Sequence, residues 1–273
     1  MMEALAGEEH TNIAYLVVTQ PDYPGWIDLI RGRTTLSEHW NQGGSNNHVM
    51  FGSIDSWFYK VLAGIRIDEN SPAFKNIIIK PYIAPELAWV KAGTKTIRGQ
   101  VGCQWKKTGD ELEMSVLIPA NSTATVYVLA SKPERVEEGG IPAASASDVT
   151  FLKMDGKYAV YQVGSGFYEF SSDQISSALD TPFAARPVIA PPDTSAFIPD
   201  SLRVTMTTKT PDAEIRYTLD NKIPSQESLL YEEPFILHGN SKIKARTFRK
   251  GYHPSFTSIS WKRFFQTGPW MFS

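Results

Sequence analysis

Apolar side chains recur at helical spacing in two stretches near the start of the chain. The first covers residues 2–19, and Thr19–Gly25, which carries two prolines and a glycine, ends it. The second covers residues 51–65 and is expected to end at Asp68–Pro72. Between them lies a polar, glycine-rich stretch, residues 31–48. A polar loop between buried helices is where functional residues concentrate.

From about residue 74 the apolar period changes from helical to alternating. Successive alternating segments predict strands, and turns at Lys107–Asp110 and Asp155–Gly156 separate some of them. Short strands with frequent turns are typical of an antiparallel sandwich. We therefore expect an antiparallel β-sandwich over residues 68–173, after a helical segment over residues 1–67.

A Ser-, Ala- and Pro-rich linker, residues 174–186, leads into a second alternating segment. Residues 187–263 predict a small Ig-like β-sandwich, with turn signals at Asp220-Asn221 and Gly239-Asn240. Residues 264–273 form a tail with no assignable role. The predicted fold class is multidomain α+β, with helices followed by two β-sandwiches.

Composition and charge narrow the range of partners. The net charge is −2 and the 27 Lys and Arg residues are dispersed, so the sequence shows no footprint for nucleic acid. No apolar run approaches the roughly 20 residues that a membrane-spanning helix needs. Cys103 is the only cysteine, which excludes an intrachain disulfide, and its alternating apolar context predicts a core position. The histidines show no metal-like spacing, so we expect no metal and no cofactor.

Three segments together resemble a known enzyme family. They are YPGWIDLIRGRTTLSEHWN (23–41), NNHVMFGSIDSWFYKVLAGIR (46–66) and FKNIIIKPYIAPELAWVKAGTKTIRGQVGCQWKKTGDELEMSVLIPANSTATVYV (74–128). In this order they resemble the C-terminal part of the bacterial α-L-rhamnosidases, glycoside hydrolase family 78. The resemblance implies that residues 1–67 are the last helices of an (α/α)6 catalytic barrel and that the family's β-sandwich follows.

The final module resembles a second family, the C-terminal domain of chitobiase and β-hexosaminidase. TPDAEIRYTLDNKIPSQESLLYEEPFIL and KIKARTFRKGYHPS carry this likeness. The usual Tyr-Thr-Leu-Asp-Gly turn has Asn221 in place of the glycine, and asparagine tolerates the left-handed conformation, so we expect the turn to survive. Such a module accompanies many secreted glycosidases, which independently supports a carbohydrate enzyme.

The rhamnosidase resemblance implies an inverting mechanism, in which one carboxyl group protonates the leaving oxygen and another activates a water molecule. The family's general base is the glutamate of its TTL-x-E-x-W motif, which corresponds to Glu38. Leu36 and Trp40 flank this residue and favour a partly desolvated carboxylate. From the residues alone, a solvated loop carboxylate or a helix-capping acid is the competing interpretation.

His48 corresponds to the histidine that binds rhamnose in this family, and a neutral imidazole can donate to or accept from a sugar hydroxyl. A histidine that caps or packs the helix start is the alternative. Trp26 and Trp40 are candidates for stacking on the sugar, and core positions are equally open to them. For Trp57 we favour the core.

Two departures from the family pattern bear on the site. Ser37 stands where the family commonly has Trp, which loosens one wall of the pocket or opens space there. The loop from Glu38 to His48 is short and glycine-rich, which changes access to the aglycone side.

The family's general acid lies far upstream, and no segment of this sequence matches its motif. We therefore expect a fragment that carries the general base, lacks the general acid and is inactive alone. Its exposed helices would pair with the missing N-terminal part of the enzyme or self-associate. The expected ligand is a rhamnose-containing glycan or glycoside. The chain does not fix its compartment; the resemblance implies a periplasmic or secreted parent enzyme, with a cytoplasmic one still open.

A function of another class also stays open. The two sandwiches are consistent with a non-catalytic carbohydrate-binding or structural module that carries vestigial helices.

Overall fold

The computed structural model describes residues 10–21, 23–193 and 201–264. The chain divides into two compact units, residues 1–180 and 181–273, each with its own hydrophobic core.

Short helices form the start of the first unit. They are α1 (Thr11–Val18), α2 (Trp26–Leu29), α3 (Val49–Gly52), α4 (Ile54–Trp57) and a π-helical turn (Phe58–Leu62). The helix predicted over residues 2–19 is present from residue 11 onward, and residues 2–9 lie outside the described part. The (α/α)6 barrel expected for this region stays a prediction.

The second predicted helix ends earlier than its apolar pattern suggested. The π-helical turn stops at Leu62, and Gly64 redirects the chain with a φ of 73°. A Cβ atom on Gly64 would collide with the backbone of Lys80 and Pro81, so the close approach of the two segments requires glycine here. Ile65, which the helical spacing had included, is therefore the first residue of a strand.

The rest of the first unit contains eleven strands and short 3₁₀ turns at Pro133–Arg135, Ala143–Ser145 and Ile175–Ser177. The strands are β1 (Ile65–Ile67), β2 (Asn76–Ile79), β3 (Trp89–Thr96), β4 (Gly99–Thr108), β5 (Glu111–Ile118), β6 (Thr123–Leu129), β7 (Val136–Glu138), β8 (Ile141–Pro142), β9 (Val149–Asp155), β10 (Tyr158–Val163) and β11 (Gly166–Ser172). One sheet has the order β1-β2-β6-β10-β9 and the other β3-β4-β5-β11-β7-β8. The inner faces of the two sheets enclose one core, so the predicted β-sandwich is confirmed.

Alternation along the strands decides which side chains fill this core. In β5, Leu112, Met114, Val116 and Ile118 are buried and the residues between them are more exposed. Cys103 on β4 is buried as expected, and the turns predicted after β4 and β9 contain Gly109 and Gly156 at positive φ.

The first sandwich is not wholly antiparallel. β2 pairs with β6 in parallel, with Asn76 beside Thr123 and Ile79 beside Val126. The chain leaves β2 for the other sheet and returns through β6 in the same direction, which is the crossover that a parallel pair requires. Alternation within one strand carries no information about the direction of its neighbour.

The second unit is a smaller two-sheet sandwich. Its strands are β12 (Val188–Ala190), β13 (Leu202–Thr207), β14 (Glu214–Thr218), β15 (Leu229–Leu230), β16 (Phe235–Leu237), β17 (Ser241–Phe248) and β18 (Ser258–Lys262). They form sheets β12-β13-β16 and β15-β14-β17-β18. Asn221 has a φ of 66°, so asparagine does hold the left-handed turn position.

The predicted linker contains ordered structure. Ile175 lies in a short 3₁₀ turn, Ile175–Ser177, and is fully buried against the first sandwich. The boundary between the compact units falls within the linker, after Asp180. Among the residues described, no helix combines the length and apolar character needed to cross a membrane.

Candidate functional site

The predicted site residues lie on one continuous stretch around α2 and α3. Trp26 begins α2, Glu38 and Trp40 lie in the loop between the two helices, and His48 directly precedes α3. His48 is tied to this loop because its backbone N–H donates to Leu36 O at 3.5 Å.

Glu38 is held at both its backbone and its carboxylate by one residue of the same loop. The Glu38 backbone N–H donates to Ser45 O at 2.9 Å. The Ser45 backbone N–H donates in return to Glu38 Oε2 at 3.2 Å. Residues 38–45 thus form a closed loop whose end points at the Glu38 side chain. In the described part of the chain, Glu38 Oε1 makes no hydrogen bond and the side chain is partly exposed.

Gly44 makes this arrangement sterically possible. Its φ is 77°, and a Cβ atom there would lie 2.8 Å from both Cβ and Oε2 of Glu38. Only glycine can therefore place the Ser45 amide against the carboxylate without displacing it. The glycine-rich composition noted in the sequence has a specific use at this position.

An arginine braces the two sides of the Glu38 loop. Arg33 Nε donates to Gln42 Oε1 at 3.2 Å, and Arg33 Nη1 donates to Asn46 Oδ1 at 2.9 Å. Gln42 Nε2 in turn donates to Asp28 O at 3.0 Å, which ties the loop to α2. The sequence reasoning missed Arg33 and Gln42, because their roles depend on a loop conformation that no periodicity encodes.

Trp26 and Trp40 contact each other and Phe51. The ring centroids of Trp26 and Trp40 are 5.0 Å apart with perpendicular planes, and Trp40 lies 4.1 Å from Phe51. The Trp26 indole N–H donates to Phe51 O at 3.0 Å, which ties α2 to α3. Both tryptophans are partly exposed, whereas Trp57 is fully buried, as predicted. A stacking role for Trp26 and Trp40 stays a prediction.

Two buried polar atoms near Glu38 have no hydrogen-bond partner among the described residues: Ser37 Oγ and His48 Nδ1. Ser37 is fully buried and His48 is partly buried. Leaving such a group unsatisfied costs about 1–3 kcal/mol, so each calls for an explanation. A ligand hydroxyl and a polar group of a further protein segment could each form the hydrogen bond that these two atoms lack.

The described residues contain no group of three or more His, Cys, Asp or Glu side chains placed to hold a metal ion. The candidate site is therefore one carboxylate, one imidazole and a small aromatic cluster. Such a set can move a proton and bind a hydroxylated ligand.

Comparison with protein families divides the chain at similar places. Residues 1–62 match the six-hairpin glycosidase domain of bacterial α-L-rhamnosidases, and residues 64–141 match the C-terminal domain of the same enzymes. Residues 194–259 match the C-terminal domain of chitobiase and β-hexosaminidase.

Individual relatives are α-L-rhamnosidases. The chain is 27% identical to one from Streptomyces avermitilis over 183 residues, which are 63% of this chain and 17% of that enzyme. It is 30% identical to one from an Alteromonas species over 136 residues, which are 45% of this chain and 15% of that enzyme. The chain thus spans less than a fifth of the length of these curated relatives.

Solved structures show the same likeness. An α-L-rhamnosidase from Dictyoglumus thermophilum has a TM-score of 0.55 at 35% identity, over 63% of this chain and 20% of that one. The Streptomyces avermitilis enzyme, solved with L-rhamnose, has a TM-score of 0.56 at 27% identity, over 63% of this chain and 17% of that one. Residues 1–62 and 64–141 therefore match two successive domains of the bacterial α-L-rhamnosidases, and residues 194–259 match a chitobiase-type C-terminal domain.

Proposed function

We propose that this chain is part of an inverting enzyme that hydrolyses terminal α-L-rhamnosides, with Glu38 as the general base. The observation that carries the proposal is the fixed carboxylate of Glu38, held by Ser45 within a stretch that matches a rhamnosidase catalytic domain. The binding of L-rhamnose by the Streptomyces avermitilis relative supports rhamnose as the sugar.

The geometry suits a base that activates water. Glu38 Oε2 accepts the Ser45 amide, which leaves Oε1 to take a proton from a water molecule. The oxygen of that water forms the new bond to the anomeric carbon, while the bond to the leaving oxygen breaks. A second carboxyl group protonates the leaving oxygen, so the products are a free sugar of inverted configuration and an alcohol.

His48, Trp26 and Trp40 form the proposed sugar-binding side of the site. The unpartnered His48 Nδ1 is a donor or acceptor for a sugar hydroxyl, depending on its tautomer. The partly exposed rings of Trp26 and Trp40 offer apolar surface for the faces of a pyranose.

The second carboxyl group and the rest of the subsite belong, in this proposal, to barrel segments outside these 273 residues. The chain matches 17% of its Streptomyces relative, which leaves most of that enzyme's length without a counterpart here. Val49 and Met50 on α3 are 83% and 56% exposed, and we propose that such apolar side chains contact those segments. The alternative is that these apolar side chains contact a second copy of the same chain.

The test has two stages. The 273-residue polypeptide should release no nitrophenol from p-nitrophenyl α-L-rhamnoside above background. A chimera, in which this chain replaces the matching segment of the Streptomyces avermitilis enzyme, should hydrolyse the same substrate. Glu38→Gln in the chimera should lower kcat by about 10²–10⁴-fold with little change in KM, because it removes proton transfer and keeps the shape.

Glu69→Gln is the matched control, because Glu69 is an exposed carboxylate outside the loop. Azide needs no deprotonation, so it should restore turnover to a Glu38→Ala chimera. Unchanged kcat in the Glu38→Gln chimera contradicts the base role. Turnover by the 273-residue chain alone, lost in Glu38→Gln, contradicts the need for further segments.

A further inference from the structure

The two compact units carry opposite net charge. Residues 181–273 contain 12 Lys and Arg against 8 Asp and Glu, a net charge of +4. Residues 1–180 contain 15 Lys and Arg against 21 Asp and Glu, a net charge of −6. The overall net charge of −2 and the dispersion of the 27 Lys and Arg residues along the sequence hide this difference between the two units.

Part of this positive charge forms a row on one strand. Along β17, Lys242, Lys244 and Arg246 are partly exposed and alternate with the buried residues Ile243 and Ala245. Alternate residues of a strand project from the same face about 7 Å apart. The three cations therefore form a line on the outer face of the sheet.

Neighbouring strands widen this row. Arg216 on β14 pairs directly with Arg246, so a fourth cation stands beside the line. Arg216 is bound to Glu214 at 2.5 Å, which offsets its charge. In the part of the chain that the structure describes, none of Lys242, Lys244 and Arg246 forms an ion pair.

Backbone carbonyls hold two of these cations in place without cancelling their charge. Lys244 Nζ donates to Asn221 O, and Arg246 Nε donates to Ser255 O at 2.7 Å. A carbonyl orients a cation but leaves its net charge in place. The row is thus ordered and remains positive.

An exposed aromatic ring stands at the edge of the same face. Trp261 on β18 pairs with Lys242, is 52% exposed, and has the Lys242 ammonium 4.6 Å from its ring centroid. Ile259, two residues earlier on that strand, is also 52% exposed. An exposed ring offers a surface for the C–H face of a pyranose, and the adjacent cations suit carboxylates.

We propose that this outer face, the basic strip of Lys242, Lys244, Arg246, Arg216 and Trp261, binds a linear polysaccharide that contains uronic acids. The cations form a line, which matches a chain with repeated carboxylates better than a single small anion. The ring distinguishes a sugar from a generic polyanion. The choice of a glycan rests on the proposed function, whereas the charge and the ring are properties of the strip itself.

Affinity electrophoresis of the full 273-residue chain tests the proposal. Polygalacturonate in the gel should retard the chain, and the same polymer with its carboxyl groups methyl-esterified should bind about tenfold more weakly or not at all. Added salt should weaken binding to the acidic polymer, because partly exposed charges are screened.

Variants locate the binding face. Lys242→Gln combined with Lys244→Gln should weaken binding by about tenfold or more. Lys209→Gln combined with Lys250→Gln makes the same charge change at two exposed positions outside the strip and should change binding less than about twofold. Trp261→Ala, which keeps the net charge, should weaken binding about three- to tenfold, including at high salt.

Several results would overturn the proposal. Equal binding of the esterified polymer would remove the role of carboxylates. An equal loss in the Lys209 and Lys250 control would make the effect one of net charge alone. Full binding by Trp261→Ala, or equal binding of a single-stranded oligonucleotide, would make the face a non-specific anion binder. None of these outcomes affects rhamnoside hydrolysis, so a failure here leaves the role of Glu38 standing.

Discussion

Buried polar groups differ in their hydrogen bonding between the sandwich of the first unit and the helical segment before it. Within the sandwich, the buried Ser172 hydroxyl donates to Leu129 O at 2.7 Å and so joins the two sheets. In the helical segment, polar atoms of Ser37, His48 and Trp57 are buried without a partner among the described residues. Asp173 Oδ1, directly after β11, is unpartnered as well, so the contrast is between the core of the sandwich and the helical segment.

Apolar side chains show the same contrast. Trp105 and Phe170 are almost completely buried between the sheets, whereas Val49 and Met50 on α3 are mostly exposed. The sandwich has a complete core, although Trp89 and Ile97 stay exposed on its surface, and the helical segment presents both polar and apolar groups that it does not cover. A fully packed core and a segment with uncovered polar and apolar groups should respond differently to substitution.

Trp105→Ala should give the largest effect, because this residue belongs to the sandwich core and also holds the helical segment. Its side chain is fully buried, and its indole N–H donates to Leu62 O at 2.8 Å. The free energy of unfolding should fall by about 3–5 kcal/mol, measured by urea denaturation. Trp105→Phe, which keeps most of the ring volume and loses the hydrogen bond, should cost less. Equal losses in the two variants would show that the hydrogen bond dominates over packing.

Gly44→Ala and Gly109→Ala compare a turn in the candidate site with a turn in the sandwich. Both glycines have positive φ, but a Cβ meets Glu38 at position 44 and nothing within 4 Å at position 109. Gly109→Ala should cost about 1–2 kcal/mol from strain alone. Gly44→Ala should destabilise its loop by roughly 3 kcal/mol, since it also displaces Glu38.

The Ser45 amide donates to the Glu38 carboxylate, so its hydrogen-exchange rate measures how much local stability the loop loses. Similar effects of the two substitutions would mean that the contact with Glu38 contributes little.

Cys103 links the sandwich core to pH. Burial raises the pKa of its thiol to about 12. In the unfolded chain the thiol has a pKa of about 8.5. Between these two pKa values the folded chain therefore retains a proton that the unfolded chain loses. This contribution to stability is complete below about pH 8.5 and should fall by about 2–3 kcal/mol at pH 10.5. Denaturation of the wild type and of Cys103→Val at both pH values isolates the thiol, and identical pH dependence would contradict this account.

The smallest predicted effect is a difference in stability loss between substitutions of two buried serines. Ser172→Ala should lower stability by about 1 kcal/mol, because it leaves Leu129 O without its donor. Ser37→Ala should lower it not at all, because the Ser37 hydroxyl has no partner in the described chain. Thermal unfolding of both variants is the measurement. A clear loss in Ser37→Ala would show that its hydroxyl is satisfied within the folded chain.

The sequence predicts the two regions to different degrees. The alternation of β5 fixes which of its residues face the core, and this was sufficient to predict the sandwich. It could not show that β2 and β6 run parallel, because direction depends on a crossover between sheets. The prediction that the second helix includes Ile65 was wrong, because the spacing of Ile65 fits both a helix and a buried strand position.

At the candidate site, a motif pointed to Glu38 and His48, and nothing in the sequence pointed to what holds them. The hydrogen bond from Ser45, the steric requirement at Gly44 and the brace from Arg33 all arise from loop dihedral angles. Such angles follow no period and depend on contacts made elsewhere. Residue identity therefore predicted the candidate chemistry, and the structure was needed to show its support.

The hydrogen bond from the Trp105 indole to Leu62 O also bears on how such a chain exchanges its parts. A recombination event between these two positions would separate the donor from its acceptor and bring together halves with different histories. A junction after Asp180, where the compact units divide, would leave that pair intact. Exchange of the last module would thus keep the core of the first sandwich intact, whereas the first sandwich and the helices that precede it should be exchanged together.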